Sequence, residues 1–224
     1  MSRVVLAIDT STSVSVAVSA GADWAMGGSD DPRGHTESVA PLIHDLLAKA
    51  GVTPADVTDV VVGNGPGPFT GLRVGIVSGL VFGHARGIPV HGLCSLDALA
   101  QQAVERVLEG QFIVATDARR KEVYWARYRV DPARPEQDRA VRLTDPAVAR
   151  PADVPDEARS LPTVGRGPVL YPELFPQAVD VLDVSAGVLC AVALQRLDAG
   201  GELPVEPMYL RRPDALTTAE RGAR

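Results

Sequence analysis

The chain has 224 residues and a formal net charge of −6, from 22 basic against 28 acidic side chains. Hydrophobic residues make up 46% and charged ones 22%, which is globular composition and excludes a disordered chain. Phosphate neutralisation dominates nucleic-acid affinity, so an acidic chain whose only lysines are Lys49 and Lys121 lacks the broad basic face of a self-sufficient nucleic-acid binder; a local arginine patch stays open.

In chain order, Val4 to Ile8 is an apolar run that reads as a buried strand, closed by the polar turn Asp9 to Ser13. Val14, Val16 and Val18 alternate with small residues and predict a strand returning antiparallel, with a third strand from Trp24 to Gly27. Gly28 to Gly34 reads as loop. Val39, Leu42, Ile43, Leu46, Leu47 and Ala50 recur on one helical face, and Gly51 supplies the stop. A buried strand at 59–63, a glycine-proline loop at 63–69 and a helix at 70–86 capped by Thr70 come next. A strand at 88–90 and a helix at 96–108 capped by Ser95 complete an α/β first half with a mixed sheet. In the second half, strands at 112–116 and 123–130 flank the turn 117–120. Nine of the 18 prolines fall between Asp131 and Pro176, which precludes long regular elements there. An amphipathic helix at 184–197 and a short strand at 208–210 follow, and the tail is expected to fray.

Cys94 and Cys190 have no metal-like spacing and sit in apolar surroundings, so buried thiols in a reducing compartment are expected rather than a disulfide. The N-terminus enters a strand pattern directly, with no secretory segment, and no window nears the roughly 20 apolar residues of a membrane span. The expected location is cytoplasmic, with no membrane partner.

The sharpest local feature is the run from Gly63 to Gly75, GNGPGPFTGLRVG, which passes from a strand end into a helix start. Such a junction can hold an anion on free backbone N–H groups. No Lys-Ser/Thr pair follows the glycines and the prolines remove donors, so a rigid structural turn is the competing reading. In the helix after it, Gly71, Gly75, Gly79 and Gly83 repeat at every fourth position along one face. Each interior glycine costs about 1 kcal/mol relative to alanine, so close packing has to offset roughly 3 kcal/mol. Leu72, Val74, Ile76, Leu80, Val81 and Phe82 supply apolar surface for a core. The glycine face then meets either a helix of the chain itself or one from a partner, and the sequence leaves both open.

His35 and His44 stand nine residues apart on one helix, a half-turn displacement that keeps them from sharing a metal. Asp9, with Thr10 and Ser11, could face a ligand at the carboxyl edge of the sheet or could simply hold the turn. No Ser-His-Asp order or Gly-x-Ser-x-Gly elbow is present.

Taken together, Ala7 to Ser11, His35-Thr36-Glu37, Gly65 to Gly75, Asp117-Ala118-Arg119 with Glu122-Val123-Tyr124, and Pro207 to Arg211 resemble the TsaB (YeaZ) family. That family is the small partner of the tRNA threonylcarbamoyltransferase. The resemblance implies an actin-like ATPase fold of two ribonuclease-H-like lobes with mixed sheets. Its expected divisions are an N-terminal lobe at 1–108, a reduced C-terminal lobe at 109–212 and a tail at 213–224. It also implies a catalytic TsaD-type paralogue as partner, a small TsaE-type ATPase that joins the assembly, and tRNA reached only through the complex. Gly71, Gly75, Gly79, Gly83, His35 and Val39 become the candidate partner interface, on which Gly79→Leu would weaken pairing. A homodimer through the same face is a further candidate.

Departures from the catalytic relatives count as much. Those relatives hold a metal with two histidines four apart, where this chain has His35 and Val39. A valine cannot ligate, so no metal and no catalytic residue is assigned. Actin-like ATPases place glycine after the first-loop aspartate; here Thr10 and Ser11 follow. Asp9, Thr10, Ser11 and Asp117 are candidate remnants of a nucleotide site, with ATP or ADP at a subunit boundary as the only cofactor candidate. Gly165-Arg166-Gly167 is a weak counterpart of an adenosine-binding segment. The leading expectation is a non-catalytic scaffolding subunit. The rival class is an enzyme, either an actin-like small-molecule kinase or a metallopeptidase.

Overall fold

Val4–Asp9 (β1) is buried at all six positions, which only a central strand with both faces covered can be. It pairs antiparallel with Val14–Ala20 (β2) and parallel with Asp59–Gly63 (β4). These relations come from a computed structural model that describes residues 3–29, 35–104, 106–107 and 109–211, with the side chains of 35–37 outside that description. Adding Asp23–Ser29 (β3) and Val90–Leu93 (β5) gives a mixed sheet of order β3-β2-β1-β4-β5.

The period of two along β1 divides the core. Val4, Leu6 and Ile8 face His35–Lys49 (α1), whose Val39, Ile43, Leu46 and Leu47 complete one apolar cluster. Beside α1 on the same side lies Phe69–Arg86 (α2), whose Leu72 and Ile76 pack on Val60 and Val62 of β4. Val5 and Ala7 face the other way, onto Ser95–Ala103 (α3) and Ala186–Asp198 (α6).

The second sheet is built on the antiparallel pair Gln111–Asp117 (β6) and Val123–Val130 (β7). Ala140–Arg142 (β8), Ala147–Ala149 (β9) and Thr163–Val164 (β10) add short edges, in the order β10-β6-β7-β8 with β9 also on β7. Phe112, Val114, Ala126 and Tyr128 of this sheet join the cluster around α3 and α6, so one core spans both lobes. Asp156–Arg159 (α4) and Gly167–Leu170 (α5) are single turns, in keeping with the proline density there. The two mixed sheets with their helices are the α/β architecture that the resemblance implies, the second sheet reduced to one well-formed hairpin and short strands.

A buried ionic knot ties the lobes. Asp97 of α3 accepts from the Tyr128 hydroxyl (2.9 Å), Arg142 (3.2 Å) and Arg196 of α6 (3.0 Å). Arg196 also donates to Asp138 (2.8 Å), which Arg134 binds as well. Both carboxylates are buried.

Several boundaries differ from the sequence reading. α2 begins at Phe69 with Pro68 at its cap position, so Thr70 lies inside the first turn instead of capping it. α3 runs from Ser95 to Ala103 with Cys94 at its cap position, and the Ser95 hydroxyl goes to Asp9 instead of capping. The strand expected at 88–90 runs from Val90 to Leu93. Met208 to Leu210 forms no strand; that segment is an irregular strap, fixed where Gly92 N donates to Leu203 O and Met208 N to Asn64 O. The tail at 213–224 and most of the loop expected at Gly28–Gly34 lie outside the described residues.

Candidate functional site

The first candidate is the turn after β1. Asp9 is fully buried; its Oδ1 accepts from Ser11 N (2.8 Å) and Ser11 Oγ (2.7 Å), and its Oδ2 from Ser95 Oγ (2.6 Å). Gly63 lies directly over that carboxylate, where any side chain would overlap Asp9 Oδ2 and meet Ser95 Oγ at 2.8 Å. Gly67, from the glycine-proline loop, lies close on Ser11, where a Cβ would stand 2.9 Å from Ser11 Cα. Burial pushes the Asp9 carboxyl above the usual carboxylate range, while the Ser95 and Ser11 hydrogen bonds pull it back part of the way. Thr10 has a different task. Its hydroxyl donates to Gly71 O (2.7 Å) and accepts from Gly75 N (3.0 Å), bridging the two ends of one rung in the α2 ladder. Asp9, Thr10 and Ser11 therefore lock β1, α2 and α3 together.

Asp117 ends β6 in the other lobe and spends its carboxylate on its own turn, accepting from Arg119 N (2.7 Å) and pairing with the Arg119 guanidinium (3.1 Å). Gly165 and Gly167 lie against the backbone of Ala115, and Arg166 forks onto Asp183 (2.7 and 2.6 Å), so that segment is a packing joint.

The second candidate is the outer face of α1 and α2. Here the expected interface residues are corrected. A Cβ at Gly75 would stand 2.5 Å from Thr10 Oγ1, one at Gly79 would overlap Val62, and one at Gly83 would overlap Val90. The glycine face is thus turned onto the chain's own sheet and lets the helix backbone approach it. Gly71 gives its carbonyl to Thr10 on the same side. Val39 is 1% exposed within the α1 core cluster and does not face outward either. The side chain of His35 lies outside the described residues.

Beyond its first turn, the large apolar side chains that α2 presents to solvent, with Arg73 and His84 exposed on either side of them, are Val77, Leu80 and Val81, at 50%, 42% and 62% exposure. These positions, i, i+3 and i+4, form one stripe, and Ala40, Pro41, His44 and Ala48 of the adjoining α1 are exposed as well. The sequence reading assigned Leu80 and Val81 to the core. The missed signal is that α2 carries apolar residues on both sides of its glycines. A helix packed on one face by glycine has no need of them inside.

Among the described residues, no group of three His, Cys, Asp or Glu side chains is placed to hold a metal, and no helix is long and apolar enough to cross a membrane.

The chain is similar to known proteins over most of its length. Residues 30–155 match the family model described as TsaD: tRNA N6-adenosine threonylcarbamoyltransferase. The Escherichia coli K12 protein described as tRNA threonylcarbamoyladenosine biosynthesis protein TsaB is 33% identical, over 92% of this chain and 94% of its own length. An uncharacterized Mycobacterium tuberculosis protein is 42% identical over 96% of this chain and 97% of its own length. Among solved structures, YeaZ from Pseudomonas aeruginosa superimposes with a TM-score of 0.78 at 30% identity, covering 93% of this chain and all of that one.

Proposed function

The chain belongs to the TsaB (YeaZ) family of tRNA threonylcarbamoyladenosine biosynthesis proteins, and from that premise we propose that it serves as a non-catalytic scaffold for the threonylcarbamoyltransferase. In this reading its part in tRNA modification is to pair with a catalytic TsaD-type paralogue through the outer face of α1 and α2, and to help couple that paralogue to a small ATPase. The observation that carries the proposal is the stripe Val77–Leu80–Val81. It is an apolar surface on a helix whose opposite face is already packed at backbone distance on the sheet. Exposed apolar stripes of this kind mark association sites, and a two-helix layer offers ridges for a matching pair from a partner.

Two further observations support a scaffold over an enzyme. Asp9, the acid of the candidate nucleotide site, is fully buried with its carboxylate taken up by Ser11 and Ser95. The second metal-ligand position of the catalytic relatives is Val39, buried in the α1 core.

The test is light scattering coupled to size exclusion, on the chain alone and mixed with the catalytic paralogue of its host. A species at the summed mass is expected for the mixture, and Leu80→Glu with Val81→Glu abolishes it without unfolding the chain, because both side chains are solvent-exposed. Pairing that survives this double substitution refutes the assignment of the face. A mixture that never associates refutes the scaffold reading.

A further inference from the structure

A hollow of about 350 Å³ opens between the start of α2, the β6–β7 turn and the C-terminal strap. Neither the sealed Asp9 turn nor the outer stripe of α2 uses it. On a chain of net charge −6 its walls are basic: Arg119 and Arg120 from the turn and Arg211 from the strap line it. Asp117 pairs with Arg119 and Glu122 with Arg211. Arg73 and Lys121 stand outside the lining, the first over the Phe69 ring at 5.0 Å and the second on the same turn as the arginines.

The turn is not one that a plain hairpin would choose. Arg119, Arg120 and Lys121 have φ of 60°, 54° and 62°, three successive L-residues in the left-handed region that glycine favours. Each such residue costs on the order of 1 kcal/mol, and an Asn-Gly pair would reverse the chain without that cost. What the unusual backbone secures is cationic side chains at the rim. The opposite wall is aromatic. Phe69 and Tyr209 lie 5.1 Å apart at 44°, and both are about half exposed, at 47% and 45%.

Guanidinium groups beside exposed rings are the two halves of a single-strand nucleotide site: cations for the phosphate and π-faces for the base. An acidic peptide would use the arginines and leave the rings without a role. A free nucleotide would fill the hollow without engaging Lys121, which follows Arg120 on the same turn beyond the lining, whereas a strand continues past the hollow and offers that cation a further phosphate.

We propose that this pocket holds an unpaired nucleotide of an RNA strand, with its phosphate on Arg119, Arg120 and Arg211 and its base against Phe69 and Tyr209. The inference deepens the scaffold reading, since it gives the chain its own contact with the RNA that its complex modifies. A single pocket supplies weak affinity, consistent with a chain that lacks a broad basic face and works inside an assembly.

The test is fluorescence anisotropy of a labelled single-stranded RNA decamer with the full chain at low salt. Binding is expected, and it weakens at least fivefold in Tyr209→Ala with the salt slope unchanged, because stacking is lost and not charge. In Arg119→Gln/Arg120→Gln it weakens with a slope shallower by about one to two, the signature of lost phosphate contacts. Binding that is equal in wild type and both variants, or no binding at all, overturns the proposal. So does a decamer of glutamate that displaces the RNA more effectively than unlabelled RNA, or adenosine monophosphate that binds as tightly as the decamer. Light scattering of the same variants with the catalytic paralogue separates the two readings. Retained pairing with RNA binding indifferent to the pocket refutes the nucleotide site alone, whereas a wild-type chain that fails to pair refutes the scaffold.

Discussion

Replacing Gly79 by alanine tests the inward direction of the glycine face. In an isolated helix the change would stabilise by about 1 kcal/mol. In this fold the new methyl overlaps Val62 Cγ1 and lies 3.3 Å from Val60 Cγ1, and both valines are fully buried on β4, between β1 and β5. Overpacking of this kind costs about 1–3 kcal/mol, and a rigid strand neighbour puts it at the upper end, so the net loss expected is about 2 kcal/mol. The double variant makes the reasoning quantitative. Val62→Ala alone removes two buried methyls, for about 2 kcal/mol. It also deletes the overlapping Cγ1, leaving Val62 Cβ at an ordinary 3.8 Å. Gly79→Ala/Val62→Ala should then cost about 1–2 kcal/mol less than the sum of the single changes, a coupling within the range found for touching residues. Urea unfolding of the four proteins, followed by circular dichroism, measures it. A Gly79→Ala chain more stable than wild type, or strict additivity in the double variant, refutes the packing argument. Light scattering adds a second arm, since folded Gly79→Ala should still pair with the catalytic subunit. An outward glycine face would give the reverse, a more stable chain that pairs less well.

Other expectations follow from the same geometry. Arg196→Met leaves Asp97 and Asp138 short of their shared cation and should destabilise by about 3 kcal/mol, visible as a drop in Tm with no change in pairing at low temperature. The Asp9 carboxyl is raised by burial, so the folded state binds its proton more readily than the unfolded chain does. Its charge therefore weighs against folding above the folded pKa and is relieved as pH falls through it. The stability of wild type relative to Asp9→Asn should accordingly increase as pH falls through the folded-state pKa towards the unfolded carboxylate value, and a flat or opposite difference between urea curves would contradict this. Burial pushes the thiols of Cys94 and Cys190 up to about 12. Neither should react with iodoacetamide at neutral pH in the native chain, and both should react once urea unfolds it; mass spectrometry of the alkylated protein reports the outcome.

The first half was legible because its elements obey short-range rules. The unbroken apolar run of β1, the alternation in β2 and the glycine-proline loop each set a local structure whose physical cause lies within a few residues. Ser95 shows where such rules stop: its place before an apolar run signals a cap, yet its hydroxyl goes to Asp9, 86 residues earlier. The strap after α6 was unreadable for the same reason, since its fixed points are Gly92 and Asn64 and not its own neighbours.

The sequence by itself determined that α2 would carry a glycine face and an apolar face, because a spacing of four on a helix is a matter of geometry alone. It also determined the family, through a run from Gly65 to Gly75 too specific to arise from composition. Only the tertiary structure decided which way α2 turns. Both of its faces are apolar enough to be buried, so the choice fell to distance. The methyls of Val60, Val62 and Val90 and the Thr10 hydroxyl stand where a Cβ could not be admitted, and the helix can settle on β4 and β5 only with its glycines inward. That choice leaves Val77, Leu80 and Val81 in solvent, and with them the face left for a partner.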